Sequence, residues 1–208
     1  MRASTCLCLA VAAAALLAPA TADARSGCRT PAGYSVVERS SESVVWERSD
    51  RERVYGCTRR SGRRVLLGPS RGYRLAGRYV AYEANFYAGE GDERFVLFVV
   101  DLATDEDRSG PIWFDPDWGD DPAEGEGPPG VVTDLELTRS GSAAWISCRL
   151  QDDGKRCEKG EPYQLWRLDG RGLKMLEESV ELERRSLERE RSAIRWRSGG
   201  QVRSATLR

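Results

Sequence analysis

The stretch "SGSAAWISCRLQDDGKRCEKGEPYQLWRLDG", Ser140 to Gly170, holds two apolar, aromatic-rich runs on either side of a polar loop that contains two cysteines. SAAWISC (142–148) and YQLWRLD (163–169) read as two strands facing each other, each next to a Gly-containing turn. Three readings of the cysteine-bearing loop compete: a stapled hairpin, a metal site, or part of a catalytic centre.

Outward from this hairpin, the same punctuation recurs. ESVVWER (42–48), RVYGCTRR (53–60), RRVLLG (63–68), VTDLELT (132–138) and GQVRSATL (200–207) are short β-branched or aromatic runs bounded by turn residues. GRYVAYEANF (77–86) alternates, with Val80, Tyr82, Ala84 and Phe86 on one face, while RFVLFVVDL (94–102) is apolar on both faces, as a strand buried between layers must be. The expected class is therefore all-β. The apolar pairs Val45-Trp46, Val80-Ala81, Ala144-Trp145 and Ile194 with Trp196 mark four units, their first members 35, 64 and 50 residues apart. The long interval contains GPIWFDPDWGDDPAEGEGPPG (110–130), and without those 21 residues it falls to about 43, within the ~40–50-residue period of propeller blades. Short antiparallel sheets arranged as about four propeller-like blades are the predicted architecture.

Within that pattern, LTRSGSAAWISC followed by YQLWRLDGRGLKML resembles the repeat of TolB-type β-propellers: a Ser/Asp-Gly turn, a strand ending in an apolar-aromatic pair, then a Tyr/Leu/Trp-rich strand ending in Asp before a Gly turn. Leu137, Ser140, Gly141, Ala144, Trp145, Tyr163, Leu165, Trp166, Asp169, Gly172 and Leu176 carry the likeness, and LAGRYVAY with VLFVVDLATD repeats it, Asp101 matching Asp169. The copies around Trp46 and Trp196 are weaker. Four units are fewer than the six or more blades usual in that family, which leaves a minimal ring, an open sheet, or half of an assembly. In a closed ring, YSVVER near the N-terminus and QVRSATL at the C-terminus would complete one blade together. The resemblance implies a non-catalytic binding or protein-interaction module.

One segment competes with this scheme. LKMLEESVELERRSLERERSAIRW (173–196) is rich in helix formers, and Leu173, Leu176, Val180, Leu187 and Ile194 are heptad-compatible, so a helix over 173–190 is the alternative to strands. Glu183 and Glu190 would occupy its intervening core positions and bury charge, which favours strands.

The chain opens MRASTCLCLAVAAAALLAPATADARSGC, with one Arg, an apolar run over 6–17 and alanines at 18, 20, 22 and 24. This reads as a signal peptide over residues 1–24, cut after Ala20 or Ala24, because the run is shorter than the roughly 20 residues a membrane span needs. A single domain over 25–208, secreted or at the cell-envelope exterior and without a membrane span, is expected. Four cysteines then remain in an oxidising compartment. Cys148 with Cys157 would staple the opening hairpin and Cys28 with Cys57 follows by elimination, although three connectivities are formally open. Zinc is disfavoured, since no pair has C-x-x-C spacing and the chain contains no His.

The absence of His excludes Ser-His-Asp and Cys-His nucleophiles, His-ligated zinc and His acid–base steps. What survives is Tyr or Lys chemistry, carboxylate chemistry, or none. A carboxylate-dependent hydrolase acting on glycans or other cell-envelope polymers is the alternative to a binding module. Net charge is −1, and the positive charge is almost all Arg. Its excess reads either as solvated strand faces or as an anion-binding patch. Arg59, Arg60, Arg63 and Arg64 form a modest basic patch, yet the overall balance argues against nucleic acid as a partner. An envelope protein or glycan is the expected partner.

The acidic insertion 110–130 is the candidate site. Asp115, Asp117, Asp120 and Asp121 crowd hard oxygen ligands beside Trp113, Phe114 and Trp118, aromatics suited either to stacking on sugars or a partner, or to anchoring the insertion on a sheet. Asp115, Asp117 and Glu126 hold positions 1, 3 and 12 of an EF-hand-like calcium loop. The match then breaks: Gly119 stands at a ligand position, Asp120 replaces the required Gly, and Pro116 and Pro122 stiffen the loop. No cofactor is expected, with calcium at 115–126 the only one the residues suggest.

Overall fold

The computed structural model describes residues 27–49, 53–70, 72–89, 92–114, 130–151 and 157–208, with the backbone alone at 85–89 and 92–94. Segment 1–24, read as a signal peptide, lies outside the described residues. Fifteen strands fall into four antiparallel sheets, and no helix occurs among the described residues. The first sheet holds β1 (Tyr34–Arg39), β2 (Ser43–Arg48), β3 (Val54–Thr58) and β4 (Arg64–Leu67); the second holds β5 (Tyr73–Ala76), β6 (Tyr79–Gly89), β7 (Asp92–Asp101) and β8 (Glu106–Pro111). The third holds β9 (Gly130–Leu137), β10 (Ala143–Arg149), β11 (Tyr163–Asp169) and β12 (Gly172–Ser179), and the last only β13 (Glu188–Glu190), β14 (Ala193–Ser198) and β15 (Gln201–Thr206). Every sheet is a meander whose strands pair with their neighbours in the chain. The all-β prediction is borne out.

The apolar pairs that defined the repeat all fall on the second strand of their sheets: β2, β6, β10 and β14. A second strand has a hydrogen-bonded neighbour on each side, and in the middle sheets it also has another sheet against each face, so successive residues must be apolar. Val80 and Tyr82 pack toward the first sheet's Val45, Val54, Val65 and Leu67, while Ala81 packs toward Ala143 and Trp145 of the third. Ala144 and Ile146 face Leu182, Leu187, Ile194 and Trp196 of the last sheet and the segment leading into it. That sheet is covered on one face only, so β14 alternates and its apolar pair is spaced by two. At the other end, Val44 and Trp46 are covered by Cys28, Tyr34 and Tyr55. Each fully buried Val, Leu or Ile contributes roughly 1.5–3 kcal/mol, so the three inter-sheet cores dominate the stability.

Turn chemistry repeats with the strands. Asp101 and Asp169 both end the third strand of a sheet, and both accept the N–H two residues on: Ala103 N at 2.9 Å and Arg171 N at 2.9 Å. Each also holds an arginine, Arg78 at 2.8 Å and Arg171 at 3.2 Å. Gly141, at φ +80°, closes the β9–β10 turn against the ring of Tyr79, which a Cβ would meet at 2.6 Å.

Residues 173–190 form β12, a turn and β13, so the helical alternative is not realised. The reason is packing on two faces: Leu173 and Met175 lie against the core with the second sheet, and Leu176 against the core with the last. Val180, which a helix would need in its seam, is exposed. The shared terminal blade needs correction. β1 pairs with β2 in the first sheet and β15 with β14 in the last, because each terminal strand meets its chain neighbour across a short turn. The C-terminus docks instead on the third sheet, where Arg208 N donates to Asp169 Oδ2 at 3.2 Å and Arg208 O accepts from Gly170 N at 2.8 Å. No helix among the described residues is long and apolar enough to cross a membrane.

Candidate functional site

Both disulfides form as expected, Cys28 with Cys57 and Cys148 with Cys157, at Cα separations of 5.8 and 5.6 Å. They are compatible with an extracellular location. The stapled hairpin at 140–170 is part of the scaffold: Trp145 and Trp166 stack at 6.4 Å in the core between the second and third sheets.

Trp113 and Phe114 stand at the base of the acidic insertion. Trp113 is 4% exposed, and the Phe114 ring meets Trp166 edge-on at 6.3 Å. Gln164, on β11, clamps the Phe114 backbone through Oε1, which accepts from its N–H at 3.0 Å, and Nε2, which donates to its carbonyl at 2.6 Å. Pro111 O accepts from the Trp145 indole at 3.0 Å. At the other end of the insertion, Gly130 lies so close to Trp113 that a Cβ would approach its Cβ to 2.8 Å. The insertion thus leaves and re-enters the sheets at one stem, with Trp113 and Phe114 placed as its anchors. Asp115, Asp117, Trp118, Asp120, Asp121 and the rest of the calcium-like run 115–126 lie outside the described residues. Among the described residues no group of three or more His, Cys, Asp or Glu is placed to hold a metal.

Of the basic patch, Arg63 pairs with Asp105 at 3.4 Å and Arg64 lies over the Trp46 ring at 5.5 Å.

A different set of residues comes together where the first strands meet. β1 packs beside β5, and β5 beside β9. A cavity of about 380 Å³ there is lined by the β1–β2 turn, β5 with its turn, the end of β9, and Arg189 of β13. Its frame is hydrogen-bonded across sheets. Ser40 Oγ donates to Gly77 O at 3.2 Å, Leu187 N donates to Asp134 Oδ2 at 2.9 Å, and Arg189 Nη1 donates to Leu137 O at 3.0 Å. Gly77 turns the chain at φ +64°, a backbone that favours glycine, with the Glu42 carboxylate and Arg139 beside it.

Three guanidinium groups line this cavity, Arg74 from the second sheet, Arg139 from the third and Arg189 from the last, against one lining carboxylate, Glu136. Burial pushes the Glu136 carboxyl above its ordinary value and Asp134 adds to the rise, while Arg189 and Arg74 oppose it. A second cavity of about 270 Å³ shares Arg74 and Leu135 and is lined by Tyr73 and Tyr82. Those phenols are latches: Tyr73 Oη donates to Gly68 O at 2.7 Å and Tyr82 Oη accepts from Gly68 N at 3.3 Å. Burial raises the pKa of both, so they stay neutral.

Sequence reasoning missed this site, although a signal existed in the register. In every sheet the first strand sets a charged residue opposite an apolar position of the second: Glu38 opposite Val45, Arg74 opposite Ala81, Glu136 opposite Ala144, Arg189 opposite Ile194. No protein-family model and no curated protein matches the chain.

Proposed function

We propose that the chain is a non-catalytic binding module, exported by its first 24 residues and acting outside the cell or at the envelope exterior, with its sheets arranged as blades of a TolB-type, propeller-like scaffold. The observation that carries this reading is the cavity itself, to which elements of all four sheets contribute. Blades set around an axis converge on a central channel in this way. The chemistry of the lining is that of recognition: it offers guanidinium groups, hydroxyls and one carboxyl, and no activated nucleophile. Ser41 lines the cavity and is exposed, so Ser41→Trp is placed to obstruct it while leaving the arginines in the sequence. Native mass spectrometry of protein recovered from its own envelope or medium should show a non-covalent adduct that Ser41→Trp lacks. The same spectra for both proteins would refute the reading.

A carboxylate-dependent hydrolase of envelope glycans is the second reading, favoured by Glu136, whose raised pKa suits a general acid. Its neighbour Asp134 is occupied by the N–H groups of Leu135 at 3.1 Å and Leu187 at 2.9 Å. Turnover on a glycoside and ester panel that vanishes in Glu136→Gln would establish this reading, and silence across the panel would remove it.

A further inference from the structure

We propose that the cavity takes a small polyanion, a ligand with two or more carboxylate or phosphate groups, held between Arg74, Arg139 and Arg189; this inference rests on the cavity being a ligand seat.

The cavity lining itself carries three guanidinium groups against one carboxyl. The side chains of Arg74 and Arg139 make no hydrogen bond or ion pair among the described residues, and Arg189 donates through Nη1 to the Leu137 carbonyl, leaving its remaining N–H groups for a ligand. An arginine carries five donors in a planar fork that fits the two oxygens of a carboxylate or phosphate. Three such forks approach from three different sheets, so a ligand with several acidic groups satisfies them together and a monoanion satisfies only one. Acidic groups on the surrounding elements include Glu136 in the lining, Asp134 two residues away on β9, Glu42 beside Gly77, and Glu83 of β6 in the adjoining cavity that shares Arg74. Asp134 is held by two backbone N–H groups, which leaves Glu136 as the lining group that opposes an anion. The volume, about 380 Å³, lies at the small end of the ~300–1,000 Å³ range of small-molecule pockets, which favours a metabolite-sized ligand over a polymer.

Glu136 makes the binding proton-linked. Its carboxyl is half-buried, burial shifts it toward the neutral form, and an anion seated beside it shifts it further the same way. Binding therefore takes up a proton, and affinity rises as the pH falls. Glu136→Gln removes the charge, so binding becomes tighter at neutral pH and its pH dependence flattens.

The test is calorimetric titration of the purified protein with citrate and with inorganic pyrophosphate, using acetate and sucrose as controls, at pH 5 and pH 8 and at fixed ionic strength. One-to-one binding of either polyanion is expected, with acetate far weaker, and, once the ligand's own protonation is subtracted, a larger gain in affinity from pH 8 to pH 5 in wild type than in Glu136→Gln. Citrate alone would assign the site to carboxylates and pyrophosphate alone to phosphates. Losing one charge-assisted contact in Arg74→Gln or Arg139→Gln should weaken binding about 10- to 100-fold, with the melting temperature unchanged because both side chains are exposed and hold nothing in the fold. No heat from either polyanion, or wild-type affinity in the two arginine variants, overturns the proposal. An adduct in the native spectra that Ser41→Trp removes, together with no polyanion binding, would retain the binding module and reject its anionic ligand. Loss of both signals would reject the two together.

Discussion

Replacing Gln164 with Ala removes one side chain that serves four polar groups. Its Nε2 donates to Phe114 O at 2.6 Å and Glu178 Oε1 at 2.9 Å, and its Oε1 accepts from Phe114 N at 3.0 Å and Trp166 Nε1 at 3.1 Å. The residue is 1% exposed and Trp166 is 2% exposed, so water cannot replace the indole's lost partner. An orphaned buried donor costs about 1–3 kcal/mol. The Phe114 backbone is half-buried, and water can recover part of its two bonds, leaving about 1 kcal/mol. The void left by the truncated amide adds about 1 kcal/mol. These losses share partners, so the total is about 3–5 kcal/mol, a large part of the roughly 5–15 kcal/mol that holds a domain folded. With a urea slope of about 2 kcal/mol per molar, the unfolding midpoint should fall by about 2 M at unchanged slope. Gln164→Glu keeps the size and the acceptors but loses both donations and sets a carboxylate against Glu178. It should be as damaging at pH 7 and partly recover near pH 4, where a protonated carboxyl again donates. A midpoint shift below about 0.5 M in Gln164→Ala would refute the argument that this amide is the clamp between the insertion stem and the third sheet.

Further outcomes follow from the turns and staples. Burial disfavours the charged form of Asp169, but the Arg171 N–H and guanidinium, the Arg208 N–H and Arg167 outweigh it, so its pKa is lowered. A depressed folded-state pKa stabilises above the ordinary carboxylate value and is lost as pH falls through the folded one; Asp169→Asn should therefore lower the melting temperature at pH 7 and converge on wild type below about pH 4. Removing Cys148–Cys157 by paired Ser substitution should cost about 2.6 kcal/mol and removing Cys28–Cys57 about 3.6 kcal/mol, from loops spanning 9 and 29 residues. Denaturant titration of the two double variants should preserve that order. Gly141→Ala combines a left-handed backbone with a Cβ 2.6 Å from the Tyr79 ring, and should destabilise by at least about 2 kcal/mol by the same titration.

The scaffold was legible because its demands are local. A strand held between two sheets must be apolar at successive residues, and the Val45-Trp46, Val80-Ala81 and Ala144-Trp145 pairs report that requirement directly. Where the last sheet is covered on one face, Ile194 and Trp196 are spaced by two, and this is why that copy looked degenerate. The match of Asp101 to Asp169 also rested on a local cause, a carboxylate that caps the turn after a third strand. The strands that escaped notice were β5, YRLA, and β8, EDRSGP, whose partly exposed residues carry no clean period. The helix-forming run after Leu173 kept a helix as the alternative for a related reason. Intrinsic propensity favours a helix there, but two-sided burial of Leu173, Met175 and Leu176 decides for a strand.

The Arg-lined cavity depends on information that a linear pattern does not carry. Trp113, Phe114 and the aspartates beside them drew attention because aromatic and acidic residues are adjacent in the chain, yet Trp113 and Phe114 are spent on anchoring the stem. Arg74, Arg139 and Arg189 are separated by 65 and 50 residues and meet only through the convergence of the first strands. Arg74 and Arg189 sit in sequence among other arginines, and in a chain where nearly every cation is Arg the identity of Arg139 does not distinguish it either. Position does. The residue facing the apolar site of a second strand lies on a first strand, exposed at Arg74 and Arg189 and half-buried at Glu38 and Glu136, outside the cores that hold the sheets together. In such a repeat the second strands hold the fold and the first strands are free to set the charge of the cavity. Of the four, Arg74, Glu136 and Arg189 line the cavity; on the proposed polyanion reading, reversing one sign there, as in Arg74→Glu, should weaken polyanion binding while leaving the unfolding transition where it is.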